Sequence, residues 1–213
     1  MEAWAIVVAA GSGLRFGQPK QHAELAGRPV MDWAIDRARA ACQGVVVVTR
    51  PVDVERRAIP GVDAVVAGGE TRSGSVRAGL AAVPARAEVI VVHDAARPLA
   101  TADLWQKVID TVAAGADAAV PALAVTETIK RVQDETIIET IDRHQLVLVQ
   151  TPQAFRAGAL RAAHADARDA TDDAGLVESS GRRVVTVPGE RRNLKITEPA
   201  DLAVAALWLK GCT

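Results

Sequence analysis

The stretch Ala5–Gln21, A-I-V-V-A-A-G-S-G-L-R-F-G-Q-P-K-Q, decides how the rest of the chain is read. Ile6 to Ala10 is a short apolar run of the kind that forms a buried strand. Gly11 and Gly13 then let the backbone turn sharply and leave N–H groups facing outward, toward an anion. Arg15 and Lys20 add full positive charge, and Pro19, with its fixed φ and missing N–H, restrains the segment that presents Lys20. The pattern is a phosphate cradle. A strand, glycine turn and helix also open parallel-sheet proteins that bind nothing there, so the loop alone leaves a structural role open. Two familiar loops are excluded by spacing. A Walker loop needs Ser or Thr after its Lys, and Lys20 is followed by Gln21; a dinucleotide fingerprint needs Gly where Phe16 stands and an acidic residue where the second strand ends in Thr49 and Arg50.

Working outward, 213 residues with 49% hydrophobic content are expected to form one domain spanning residues 1–213. The 25 basic and 26 acidic residues nearly cancel, so neither a nucleic-acid surface nor a polybasic membrane patch is expected, and phosphate binding has to be local. Cys42 and Cys212 are too few for a disulfide framework and have no zinc-ligand spacing, which favours a reducing compartment. The start M-E-A-W-A-I-V-V-A-A-G has no basic region and too short an apolar run for a signal peptide or membrane span, so a cytoplasmic location is expected. No internal repeat or low-complexity tract is visible.

Strand and helix patterns alternate from there. A helix is expected from Gly27-Pro29 to Ala41, with Val30, Met31, Ala34, Ile35 and Ala38 on one face; strands at Val45–Thr49 and Ala64–Ala67 follow, then a Gly68-Gly69 turn. Next come a helix from Ser75 to Val83, a strand from Glu88 to Val92, and a helix capped by Thr101 and ended by Gly115. Ala118 to Val125 reads as a strand. T-I-K-R-V-Q-D-E-T-I-I-E-T-I reads as a β-hairpin about Asp134-Glu135 and is less apolar than the earlier strands, so it is expected to leave the sheet as an arm over roughly residues 126–143. Leu146–Gln150 is expected to return to the core, Ala157–Arg168 to be helical, and Thr171-Asp172-Asp173 to cap a helix ending by Gly181. Val184–Val187 and Leu194–Thr197 are short strand candidates before a last helix opened by Pro199.

An open parallel sheet binds ligands beyond the carboxyl ends of its strands, and the loops there are unusually polar. H-D-A-A-R-P places Asp94 and Arg97 beside the glycine loop. Asp94 suits a Mg²⁺ ion on phosphates and Arg97 a phosphate or carboxylate; a turn with a capping Asp and a solvated Arg is the competing reading. Ser75 and the Thr171–Asp173 group can equally be helix caps, and Glu70 a turn residue after Gly68-Gly69. Lys195 in an apolar setting requires an anion or a partner. His22, His93, His144 and His164 have no base-partner spacing and are left out of catalysis.

Taken together, G-S-G-L-R-F-G-Q-P-K-Q, G-G-E-T-R-S-G-S-V, H-D-A-A-R-P, E-T-I-K-R, the I-D-R at Arg143, T-P-Q at Thr151, T-D-D-A at Thr171 and N-L-K-I-T around Lys195 resemble the 2-C-methyl-D-erythritol 4-phosphate cytidylyltransferases. The resemblance runs in order over nearly the whole chain. It implies an α/β fold, a Rossmann-like three-layer α/β/α sandwich with a mostly parallel sheet and a protruding β-hairpin arm. It also implies a Mg²⁺-dependent transfer of the cytidylyl group from CTP to methylerythritol phosphate in isoprenoid precursor biosynthesis, releasing pyrophosphate. By the same likeness Arg15, Lys20, Lys195 and Asp94 are catalytic, with Asp94 on the metal. Ala9, Ala10, Gly11, Ser12, Gly13, Gly69, Glu70 and Ser75 bind the nucleotide, and Arg97, Thr128, Arg143 and Thr151 bind the second substrate. The arm of this family exchanges between subunits, which implies a homodimer in which Thr128 and Arg143 complete the partner's site. The Arg15–Lys20 segment is shorter than in relatives, Phe16 replaces a usual Met and His22 a common Tyr. The end at Thr213 implies no fused cyclodiphosphate synthase domain. Rival expectations are a cytidylyltransferase for another alditol phosphate such as ribitol 5-phosphate, sharing the CTP half of the motifs, and a nucleotide-binding module without turnover.

Overall fold

The computed structural model describes residues 1–11, 13, 16–17, 19–54 and 59–211. The sequence opens with β1 (Ala3–Val8), followed after the glycine loop by a short 3₁₀ turn at Lys20–His22 and a small ribbon of β2 (Glu24–Leu25) and β3 (Arg28–Pro29). Helix α1 (Val30–Ala41) buries Val30, Met31, Ala34, Ile35 and Ala38, the face its spacing predicts, and leads to β4 (Gly44–Thr49). After β5 (Ala64–Ala67), α2 (Arg72–Ala82) crosses back to β6 (Val89–Asp94), and α3 (Ala102–Ala113) leads on to β7 (Ala118–Ala124). Strands β8 (Ile129–Gln133) and β9 (Thr136–Ile141) form the arm. The chain then runs through β10 (Val147–Val149), β11 (Gln153–Arg156), α4 (Ala157–Ala163), α5 (Asp173–Ser179), β12 (Val184–Pro188) and α6 (Pro199–Lys210).

The main sheet has eight strands in the order β10-β7-β11-β6-β1-β4-β5, with β12 also pairing β7. Strand β1 lies parallel to β4 on one side and to β6 on the other, with Val7 opposite His93 and Val8 opposite Asp94. Successive side chains point to opposite faces, so Ala3, Ala5 and Val7 pack under α1 and α3, while Trp4 and Ile6 pack under α2 and α4. Both faces are covered, which is why these strands read as unbroken apolar runs. A third, smaller cluster joins Phe16, Leu25, Val30, Ile196 and Ala205 and seats α6 beside the glycine loop. The result is the expected Rossmann-like α/β/α sandwich with a mostly parallel sheet.

The chain leaves β1 through α1 on one face to reach β4, and returns through α2 on the other face to reach β6. The carboxyl end of β1 is therefore a switch point where the two flanking connections diverge, and a crevice opens there.

Several local expectations are corrected. Strand β11 has no counterpart among the expected strands; it is inserted antiparallel between β6 and β7. Helix α2 begins at Arg72 and not at Ser75, because Thr71 supplies the N-cap, its Oγ1 accepting from the Gly74 N–H at 3.0 Å. The predicted helix 157–168 ends at Ala163, where His164 turns inward. Leu194–Thr197 is not a strand; it is tied to the loop after β6 by the Ile196 N–H donating to the Ala96 carbonyl at 2.8 Å. Leu146–Gln150 does rejoin the sheet through β10, but Val147, Leu148 and Val149 remain exposed in the single chain. The arm is a hairpin as read, its two-residue turn at Asp134 and Glu135 having φ of 46° and 63°.

Candidate active site

The crevice at the end of β1 is a cleft of about 410 Å³. Its walls are the end of β1 with Ala9, Ala10 and Gly11; Lys20 and Gln21; the Gly69–Arg72 turn with Ser75; Asp94–Ala96 at the end of β6; and Lys195. Nine of the sequence-predicted residues thus meet around one space: Ala9, Ala10, Gly11, Lys20, Gly69, Glu70, Ser75, Asp94 and Lys195. Ser12 and Arg15 lie outside the described residues. Gly13 adopts φ of 70°, the left-handed turn expected of the loop, and a Cβ on Gly11 would meet nothing within 4 Å, so that backbone faces open space. Buried Gln21 fixes the loop, its Nε2 donating to the Gly11 carbonyl at 3.2 Å.

Asp94 is the electrostatic centre. Its Oδ2 accepts from Lys195 Nζ at 2.7 Å, and its Oδ1 lies 3.4 Å from Arg72 Nε and 3.5 Å from Arg72 Nη2. Burial pushes this carboxyl up, but Arg72 and Lys195 outweigh it and hold it well below the usual carboxylate range. The site therefore presents an ionised carboxylate flanked by cations at any ordinary pH.

Three segments are locked together beneath it. The Asp94 N–H donates to Thr151 Oγ1 at 3.0 Å, and Thr151 Oγ1 lies 3.1 Å from His93 Nδ1. His93 Nε2 lies 3.0 Å from the Arg97 carbonyl. A carbonyl only accepts, so Nε2 carries the proton and Nδ1 receives the Thr151 hydroxyl. Asn193 Nδ2 donates to the Thr151 carbonyl at 2.9 Å, and Arg97 Nη1 to the Asn193 carbonyl at 2.7 Å.

This geometry separates the remaining predicted residues. The Thr151 hydroxyl is spent on Asp94 and His93, and Arg97 is engaged with Asn193; neither lines the cleft. Thr128 and Arg143 stand exposed on the arm, where Arg143 Nη1 donates to the Thr126 carbonyl at 2.7 Å. They are not brought to this cleft within one chain. Ser75 does not cap its helix: its Oγ donates back to the Thr71 carbonyl at 3.0 Å from inside α2. Lys195 is half-exposed and not buried in an apolar setting, its anion being Asp94. Sequence reasoning passed over Arg72 and Gln21, although both sit in quoted motifs, T-R-S-G-S and P-K-Q, at loops that end on the cleft.

Among the described residues no three His, Cys, Asp or Glu side chains gather to hold a metal, and no helix is long and apolar enough to cross a membrane. Of the described residues, Asp94 is the one carboxylate set among the cleft's cations, Arg72 and Lys195, a donor that suits a hard cation carried mainly by phosphate oxygens.

An open, mostly parallel sheet with an anion-receiving cleft at its switch point defines a nucleotide-binding α/β class. Within that class the assignment is specific: the sequence profile of 2-C-methyl-D-erythritol 4-phosphate cytidylyltransferase matches residues 3–211, and the chain belongs to that family. It is 44% identical to the enzyme of that name from Rhodococcus jostii, covering 94% of this chain and 92% of that one. It is also 44% identical to the bifunctional enzyme IspD/IspF of Solidesulfovibrio magneticus, covering 97% of this chain but only 57% of the relative. The crystal structure of 2-C-methyl-D-erythritol 4-phosphate cytidylyltransferase from Thermus thermophilus superimposes with a TM-score of 0.84 at 33% identity, covering 99% of this chain and all of that one.

Proposed function

We propose that this chain transfers the cytidylyl group of CTP to 2-C-methyl-D-erythritol 4-phosphate, releasing pyrophosphate, as a step toward isoprenoid precursors. The observation that carries the reading is that Lys20, Arg72 and Lys195 line one cleft with the ionised Asp94, which Arg72 and Lys195 flank, beside the glycine loop at the sheet's switch point. In the reaction a phosphate oxygen of the acceptor attacks the α-phosphorus of CTP, the α–β anhydride bond breaks, and pyrophosphate leaves. Two anions have to meet while charge spreads over the phosphoryl oxygens, so catalysis rests on positioning and cations, with no covalent enzyme intermediate.

The chain's residues divide that work. The backbone of Ala9–Gly13, with Ser12, cradles the triphosphate, and Arg15 and Lys20 stabilise the charge on the α-phosphate and the leaving group. Gly69, Glu70 and Ser75, which line the same cleft, form a small reader for cytosine and ribose. Lys195 faces the acceptor phosphate. Asp94 holds Mg²⁺, which when bound neutralises triphosphate charge; Arg72 touches Asp94 Oδ1 only at 3.4 Å or more, so that oxygen is weakly committed.

Arg97 and Thr151 act by fixing the end of β6, which carries Asp94, and the turn after it, while Thr128 and Arg143 serve the cleft of a second subunit. Support for a homodimer comes from apolar exposure: Ile137 on the arm and Leu148 on β10 are 60% and 57% exposed in one chain, and Val132, Ile138, Val147 and Val149 are exposed with them. Residues 1–213 then act as one nucleotidyltransferase domain in the cytoplasm, with the arm near residues 126–143 joining two copies.

Pyrophosphate release tests the reading. With Mg²⁺ and methylerythritol 4-phosphate, CTP is expected to turn over far faster than UTP, ATP or GTP, and ribitol 5-phosphate to be a poor acceptor. Preference for ribitol phosphate reassigns the acceptor half of the site, and CTP binding without turnover with any acceptor leaves a nucleotide-binding module.

A further inference from the structure

Arg72 lies between two carboxylates that hold it unequally. Its Nη1 is 2.7 Å from Asp173 Oδ2, whereas its contacts to Asp94 Oδ1 are 3.4 and 3.5 Å. Asp94 has a tight cation of its own in Lys195, at 2.7 Å. The cluster is thus two close pairs, Arg72 with Asp173 and Lys195 with Asp94, joined by a loose cross-contact.

Asp173 has a side chain 0% exposed, and its other oxygen is 3.0 Å from Nε2 of the equally buried His164. A carboxylate taken wholly out of water costs several kcal/mol unless it is paired. Helix α5 does not need the charge as its cap, since Asp172 already accepts from the Gly175 N–H at 3.0 Å. The surrounding segment is stitched to the first turn of α2: the Ala170 N–H donates to Ser73 Oγ at 3.1 Å, and Thr71 Oγ1 to Asp169 Oδ1 at 2.7 Å. Asp173 is therefore held at a fixed place relative to Arg72.

We infer that Asp173, braced by His164, is a positioning residue that keeps Arg72 facing the cleft as a cation for the phosphates of CTP and stops it from collapsing onto Asp94. The inference rests on the reading that this cleft binds CTP. Without a full anion at position 173, the guanidinium's nearest remaining carboxylate is Asp94. A tight Arg72–Asp94 pair removes both a phosphate-binding cation and an available carboxylate from the cleft, while the acceptor side, at Lys195, is left in place.

The test measures CTP affinity calorimetrically with no acceptor present, together with kcat and both KM values, for the wild type, Asp173→Asn, Arg72→Gln and the double variant. Asp173→Asn is expected to weaken CTP binding about ten-fold or more, as for loss of a charged hydrogen bond, with the acceptor KM changed less than about three-fold because the Lys195 side is left in place. In the Arg72→Gln background the same substitution is expected to cost less than about two-fold, because its effect runs through Arg72. Equal losses in both backgrounds, or unchanged CTP affinity in Asp173→Asn, overturn the inference. If Asp173→Asn does not fold, Arg72→Lys carries the test from the cleft side. Lysine keeps the charge but lacks the fork that reaches both carboxylates, so it is expected to bind CTP as poorly as Arg72→Gln; wild-type affinity overturns the inference. A wild type that fails to bind CTP at all overturns the reading of the cleft itself, a result distinct from wild-type binding that Asp173→Asn leaves intact.

Discussion

His93 gives a prediction whose size follows from its surroundings. The ring is 0% exposed, packs 4.9 Å from the Trp105 ring, donates from Nε2 to the Arg97 carbonyl and accepts the Thr151 hydroxyl at Nδ1. Burial pushes its pKa down from 6.5 to about 4, although Asp94 pulls the other way. The folded state therefore resists protonation while the unfolded state accepts it. Between about pH 6.5 and pH 4 the unfolded chain binds more protons, so stability is present above that window and is lost as pH falls through it. A shift of about 2.5 units at about 1.4 kcal/mol each is worth ~3 kcal/mol, fully lost below about pH 4. Urea unfolding of the wild type and His93→Gln at pH 7.5, 6.0, 5.0 and 4.5 measures this. Gln keeps a donor for the Arg97 carbonyl but does not titrate, so the wild type is expected to lose about 2.5 kcal/mol more than the variant on going from pH 7.5 to pH 4.5. Parallel pH curves for the two proteins refute the argument.

Two further outcomes come from other parts of the fold. A Cβ on Gly79 would sit 2.6 Å from Ile6 Cγ2 and 3.0 Å from Val48 Cγ2. Gly79→Ala is therefore expected to cost about 1–3 kcal/mol by overpacking, outweighing the gain in helix propensity of up to about 1 kcal/mol; an unchanged or higher urea midpoint contradicts this. Ile137→Asp combined with Leu148→Asp is expected to shift the sedimenting species to single-chain mass while far-UV circular dichroism is retained. A dimer that survives both substitutions argues against the arm and β10 as the interface.

The framework was legible because a parallel sheet covered on both faces leaves continuous apolar runs such as V-V-V-V at residues 45–48, and because glycine and proline mark the turns between them. Less visible were features set by tertiary context. Q-A-F-R at residues 153–156 is too short to announce a strand, yet it fills the gap between β6 and β7. Thr71 and Ser75 are both good caps on paper, and only the position of the Gly74 N–H selects Thr71. For the site, the glycine loop, P-K-Q and H-D-A-A-R-P did converge on one cleft. What composition and spacing could not show is where a side chain's hydrogen bonds are spent. Thr151 and Arg97 serve the scaffold, His93 anchors it, and Arg72 meets Asp173 across 101 residues of sequence.

The central claim, that the cations of this cleft stabilise charge developing at the α-phosphorus and do not merely bind nucleotide, is tested most directly at Lys20. CTP affinity and the single-turnover rate with methylerythritol 4-phosphate are to be measured for the wild type and Lys20→Ala. A cation acting mainly in the transition state predicts a rate about 100-fold or more lower, ~3 kcal/mol, with affinity changed less than about ten-fold. Equal losses of rate and affinity would contradict the account and reduce Lys20 to a binding residue.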